Sequence, residues 1–151
     1  MTLAELFALL APTNPTLVGT FPLGLQVDGS DLDIVCEAHD LALLGLPCRR
    51  VHDATVAELR IDGMRVEVFA QPVPVARQLG FRHMIVEGRL LTVFPTLRDE
   101  VLALKRAGVK TEPAFASVLG LQGDPYQALL DLEPLSEAQL RARFADRLPA
   151  R

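Results

Sequence analysis

The chain has 151 residues, half of them hydrophobic and 23% charged, with a formal net charge of −4. This is an ordinary globular composition, long enough to bury roughly two-thirds of the unfolded surface in one domain. The acidic balance argues against a broad nucleic-acid-binding surface, and no apolar run approaches the ~18 residues of a membrane span.

The first residues, Met1–Glu5, carry no basic region, so the expectation is a soluble, cytoplasmic protein without a signal peptide. Cys36 and Cys48 lie outside any Cys-x-x-Cys pattern and are expected as buried, reduced thiols rather than as a disulfide or zinc ligands.

Thr2-x-x-Glu5 ahead of Leu6, Phe7, Leu9 and Leu10 is a capping-box pattern and predicts a short first helix, ended by Pro12 and Pro15. Residues 16–20 read as a strand, 21–30 as a loop containing Gly24 and Gly29, and 31–38 as a second strand. Residues 40–46 form a short apolar, helical segment stopped by Gly45 and Pro47. Asp62-Gly63, between the runs 56–61 and 64–69, is the favoured pair for a type I′ hairpin turn.

In that register Ile61 faces Met64, Arg60 faces Arg65, Leu59 faces Val66 and Glu58 faces Glu67. One face of the hairpin is therefore apolar and the other charged. Two glutamates directly opposite repel unless a cation or the diagonal arginines neutralise them. The charged face is either a solvated surface with Arg–Glu diagonals or part of a carboxylate cluster.

Beyond Pro72 and Pro74 the pattern turns helical: 75–94 as one long helix disturbed near Gly80 and Gly88, then 97–107, 112–121, 125–132 and 136–148. Asp124-Pro125 supplies an N-cap residue with proline at N1, and Ser136-Glu137 opens the last helix. Strands gather in the first half and helices in the second, which predicts an α+β arrangement or a small sheet with an appended helical lobe. A single domain over 1–151 is expected, with a sheet-bearing part of about 1–72 and a helical part of about 73–151.

Gly19-Thr20 followed ten residues later by Ser30-Asp31-Leu32-Asp33 is the stretch that speaks to function. Acids at i and i+2 inside an apolar run point to one face of a strand. Glu67, on a hairpin face that carries charge, would complete a three-carboxylate cluster. Paired acids near a backbone turn are what metal-assisted phosphoryl or nucleotidyl transfer requires.

These residues resemble the nucleotidyltransferase superfamily, whose members share the polymerase-β-like fold. Val18-Gly19-Thr20 looks like its first element, Asp31-Leu32-Asp33 its second, and Val66-Glu67-Val68 its third acid. The chain also looks like a family of small bacterial proteins of unknown function with this fold. The segments that carry that likeness are Gly29–Ile34, Arg82–Ile85, Lys110–Phe115 and Gly123–Tyr126.

The resemblance implies a nucleotidyltransferase-like small mixed β-sheet with flanking helices and a helical C-terminal half. It implies that Asp31 and Asp33 bind one or two Mg²⁺ ions, and that Glu67 binds the second ion or serves as a base. It implies that Gly19 and Thr20 contact a triphosphate, next to Ser30. Magnesium suits hard oxygen ligands completed by phosphates. The segment Phe21–Leu25 is apolar where many active members carry a basic residue.

Arg82 is expected as a phosphate clamp or a surface arginine, and His83 as a local hydrogen-bonding residue or a general base. His39 lines the site or simply sits in a turn, and His52 has no motif context. Lys105, Arg106 and Lys110 straddle Gly108; they complement a helix end, or Lys110 binds phosphate. Glu112 is expected to cap a helix, and Tyr126 to pack among the final helices or stack on a base.

Two functions follow. One is a magnesium-dependent nucleotidyltransferase moving a nucleoside monophosphate from an NTP to an unknown acceptor. The alternative is a nucleotide-binding or regulatory module of the same fold without turnover. Whether a homo-oligomer completes the site is left open by the sequence.

Overall fold

Asp62 and Gly63 both take positive φ, 51° and 79°, which is the type I′ geometry demanded by a two-residue hairpin. Around this turn β4 (Ala54–Ile61) and β5 (Met64–Gln71) pair antiparallel in the expected register, Arg60 opposite Arg65 and Glu58 opposite Glu67. The computed structural model describes residues 1–148. Five strands, β1 (Thr16–Val18), β2 (Leu32–Glu37), β3 (Arg49–Val51), β4 and β5, pair in the order β1-β2-β5-β4-β3, and with seven α-helices among these residues they make an α+β fold with a mixed sheet.

β1 pairs antiparallel with β2, and β2 pairs parallel with β5. β3 completes the far edge against β4. The chain groups into two units, Met1–Pro22 with Gly29–Phe81, and Leu23–Asp28 with the chain from Arg82 onward.

In the first unit, alternate residues Leu32, Ile34 and Cys36 of β2 and Val66, Val68 and Ala70 of β5 are buried with Leu6 and Leu10 of α1 (Leu3–Leu10). Thr2 and Glu5 form the capping box at the start of α1, the Thr2 side chain accepting from the Glu5 amide at 3.1 Å. Cys36 and Cys48 are free thiols, the first buried and the second only partly so. No helix among the described residues is long and apolar enough to cross a membrane.

The second unit contains most of α3 (Leu79–Val93), then α4 (Leu97–Arg106), α5 (Thr111–Leu119), α6 (Pro125–Leu130) and α7 (Glu137–Arg143). Its core gathers Leu90, Phe94, Leu97, Phe115, Leu129 and Leu140, all essentially inaccessible to solvent. Phe94 meets Phe144 edge to face at 6.0 Å.

Four local expectations are corrected. The first strand stops at Val18 because Gly19 turns the chain with φ +77°. Thr20–Leu23 is then a helical turn, α2, rather than strand end and open loop. The long helix expected over 75–94 is broken: Val75–Arg77 is a 3-10 turn and Gln78 is extended, its buried amide donating to the Cys36 carbonyl at 2.8 Å. Neither glycine breaks α3; Gly80 permits close approach, since a Cβ there would lie 3.4 Å from Val18 Cγ2 and 3.5 Å from Val35 Cγ1.

The fourth concerns β3, which was not expected. Its connection to β4 is a two-residue turn over His52-Asp53, with His52 at φ +54°, and carries no Asn-Gly or Asp-Gly signal.

Candidate active site

Asp33 on β2 is the direct partner of Glu67 on β5, and Glu67 is the direct partner of Glu58 on β4. Side chains of residues directly opposite one another leave the same face of a sheet. The three carboxylates therefore form a row across β2, β5 and β4, on the face opposite Ile34, Val66 and Val68. Val18 of β1, buried, ends the row beside Asp33. Asp31 sits one residue before β2, close enough that its charge acts on Glu67.

The Glu67 carboxyl is pushed above the usual range, first by burial and then by the charges of Glu58 and Asp31; Arg49 and Arg65 pull the other way. Arg65 Nε stands 3.6 Å from Asp31 Oδ1, and Arg49 Nη2 stands 3.3 Å from Glu58 Oε1. A cavity of about 10 Å³ lies among Asp31, Glu58, Leu59, Arg65, Val66 and Glu67. That is room for one water-sized occupant.

Gly19 meets the same row from the side of β1. A Cβ added at Gly19 would lie 2.7 Å from Asp33 Oδ2, so the backbone turn and the carboxylate approach as only glycine permits. Two polar oxygens nearby in sequence are shielded from solvent without a hydrogen-bond partner: Thr20 Oγ1 and Asp31 Oδ1. Burying such atoms unpaired is costly, and sites that await a ligand tolerate it. Ser30, half-buried, immediately precedes Asp31.

The residues suit magnesium in chemical type: hard carboxylate oxygens on one face, one of them shielded without a hydrogen bond. Among the described residues, no three His, Cys, Asp or Glu side chains already stand as a set that would hold a metal ion. Magnesium is commonly held by one or two carboxylates, its own waters and substrate phosphates. The row offers the carboxylates in that manner.

The other candidates lie in the helical unit. Arg82 is engaged by Glu133 in a two-pronged pair, Nε to Oε2 at 3.1 Å and Nη2 to Oε1 at 2.9 Å. Those hydrogen bonds hold the Glu133 carboxyl below the usual range. His83 is buried and its Nε2 lies 2.9 Å from the Tyr126 carbonyl, with the two rings edge to face, which is the local hydrogen-bonding role.

Lys105 is buried and donates to Thr111 Oγ1 at 2.7 Å. Lys110 is exposed at the N-cap of α5. In the sheet unit, His39 is exposed, and its carbonyl accepts a long contact from Arg50 Nη2 at 3.5 Å.

Glu87 was missed by sequence reasoning. It is 1% exposed on α3, with Oε1 unpaired, beside Glu112 and Lys105. The available signal was periodicity: position 87 falls on the stripe of His83, Val86, Leu90 and Leu91, where a charge is out of place.

Residues 1–51 and 47–132 match the family described as "Domain of unknown function (DUF4269)". The chain belongs to the DUF4269 family. No curated protein matches it. Among solved structures it is similar to a chain from "Structure and function of the polymerase core of TRAMP, a RNA surveillance complex", with a TM-score of 0.51 and 14% identity. That likeness covers 95% of this chain and 53% of the other, so this chain spans about half the length of that relative. At this identity the shared property is the fold alone, a mixed sheet with flanking helices.

Proposed function

We propose that this DUF4269 protein is a magnesium-dependent nucleotidyltransferase, transferring a nucleoside monophosphate from an NTP to an acceptor. The observation that carries the reading is the acid row of Asp33 and Glu67 flanked by Asp31 and abutting the Gly19 turn. Asp31, Asp33 and Glu67 would hold one or two Mg²⁺ ions, which when bound stabilise charge on attacking and leaving oxygens.

The chain's own contribution is positional. The β2–β5 pairing fixes two carboxylates side by side, and the Gly19 turn brings backbone against Asp33 without a side chain between. Thr20 Oγ1, shielded and unpaired, is suited to a phosphate oxygen. Where Glu67 serves as the base instead of holding the second ion, its hold on a proton, tighter than an ordinary glutamate's, suits it to take one from an acceptor hydroxyl. Arg82 is committed to Glu133, and Lys110 stands at the α5 N-cap, within the helical unit.

Calorimetric titration of Mg²⁺ with ATP and the other NTPs into wild type, Asp31→Asn and Asp33→Asn tests the site. At least a tenfold loss of affinity in each variant is expected; unchanged binding would sink the assignment. The second reading, a nucleotide-binding module without turnover, draws on the apolar segment Phe21–Leu25. Incubation with labelled NTPs and cell extract separates the two, since label transferred to an acceptor requires an enzyme.

A further inference from the structure

We infer that Arg65 is the resident counter-cation of the acid face, and that a divalent cation binds there by displacing it. This rests on the metal-site reading above and adds a competing residue to it. Arg65 leaves β5 two residues before Glu67, so both side chains emerge on the charged face of the hairpin. Its Nε approaches Asp31 Oδ1 at 3.6 Å, which is an ion pair but longer than a hydrogen bond. Asp31 Oδ1 accordingly remains without a hydrogen-bond partner although solvent does not reach it. The contact is electrostatic and loose.

Charge explains why arginine is there. Asp31, Glu58 and Glu67 surround a water-sized cavity of about 10 Å³, and among the described residues Arg65 is the one cation in its lining. Glu58 is further balanced by Arg49. Arg65 also stands directly opposite Arg60, a like-charge pairing that is unfavourable in isolation and tolerable beside carboxylates. The Arg65 side chain is 55% exposed, so it can swing into water at little cost, leaving Asp31 and its neighbours to a smaller, harder ion.

Mn²⁺ is the probe, titrated calorimetrically into wild type, Arg65→Gln, Arg65→Lys and Asp33→Asn, first alone and then with a non-hydrolysable ATP analogue. Arg65→Gln should bind Mn²⁺ about three- to tenfold more tightly than wild type, as expected for removing one partly screened competing charge. Arg65→Lys, which keeps the charge, should stay close to wild type. The salt dependence of Mn²⁺ affinity should also differ between Arg65→Gln and wild type.

Equal affinity in Arg65→Gln and wild type overturns the inference, as does equal tightening in Arg65→Lys. So does a glutamine variant that weakens only the Mn²⁺–nucleotide complex, which would assign Arg65 to phosphate. If Asp33→Asn loses Mn²⁺ while Arg65→Gln matches wild type, the metal-site reading stands and this inference alone falls. If no form of the protein binds Mn²⁺, both fall.

Discussion

Gly19 and Glu87 show how single residues set the character of each unit. At Gly19, φ is +77° and a Cβ would sit 2.7 Å from Asp33 Oδ2, so alanine brings both backbone strain and a clash with the carboxylate. Gly19→Ala should destabilise the fold by roughly 1–2 kcal/mol and weaken nucleotide binding at the same time. Urea unfolding with calorimetric titration checks both, and a variant with wild-type values in each would remove Gly19 from the site.

Glu87 makes a different case. Burial, then the charge of Glu112 and a hydrogen bond with it, push the Glu87 carboxyl well above its ordinary value of 4.5, with Lys105 opposing. Because the folded-state value is raised, its contribution to stability is fully present below the unfolded value. That contribution is lost as pH rises through the folded one. Glu87→Gln should therefore stabilise the protein near neutral pH, on the order of 1 kcal/mol, with the advantage shrinking as pH falls towards about 4.5 and constant below it. Thermal melts across that range decide it; a constant difference at every pH would refute the assignment.

At the scale of elements, the hairpin organises the carboxylate row. The Asp62-Gly63 turn fixes the β4–β5 register, and a slip of one residue would move Glu67 to the buried face. Gly63 is at φ +79° with open space where a Cβ would go, so the cost of Gly63→Ala is conformational. A loss of about 1 kcal/mol is expected, measurable by urea unfolding; no loss would mean the turn tolerates a different type.

This register was legible in the sequence because Asp-Gly between alternating runs encodes one turn. β3 was not legible, since Arg49–Val51 has no alternation and its His52-Asp53 turn lacks the Asn-Gly or Asp-Gly pair that marks a hairpin in a sequence. The break before α3 was hidden too. Gln78 looks helical by propensity, but its amide is committed to the carbonyls of Cys36 and Val73, far from and near to it in sequence.

For the whole molecule, ligand binding to the acid row should appear as stability. A ligand that binds only the folded state at a hundred times its dissociation constant adds about 2.7 kcal/mol. Mn²⁺ together with a non-hydrolysable ATP analogue should therefore raise the melting temperature by several degrees, more than either alone, and chelation should reverse it. Absence of any shift with saturating Mn²⁺ and nucleotide would count against the proposed function at this scale, whatever single substitutions do.

The sequence by itself determined the α+β class and the hairpin register, because strand periodicity and turn chemistry are local, and it singled out the acids at 31, 33 and 67 as candidates. Only the tertiary structure decided that Asp33 and Glu67 are parallel-strand neighbours and that Gly19 abuts Asp33. It alone paired Arg65 with Asp31, committed Arg82 to Glu133 and buried Glu87. Those contacts join residues that are distant along the chain, with Asp33 and Glu67 separated by β3 and β4. No spacing rule reaches across such a gap; strand pairing and helix packing do.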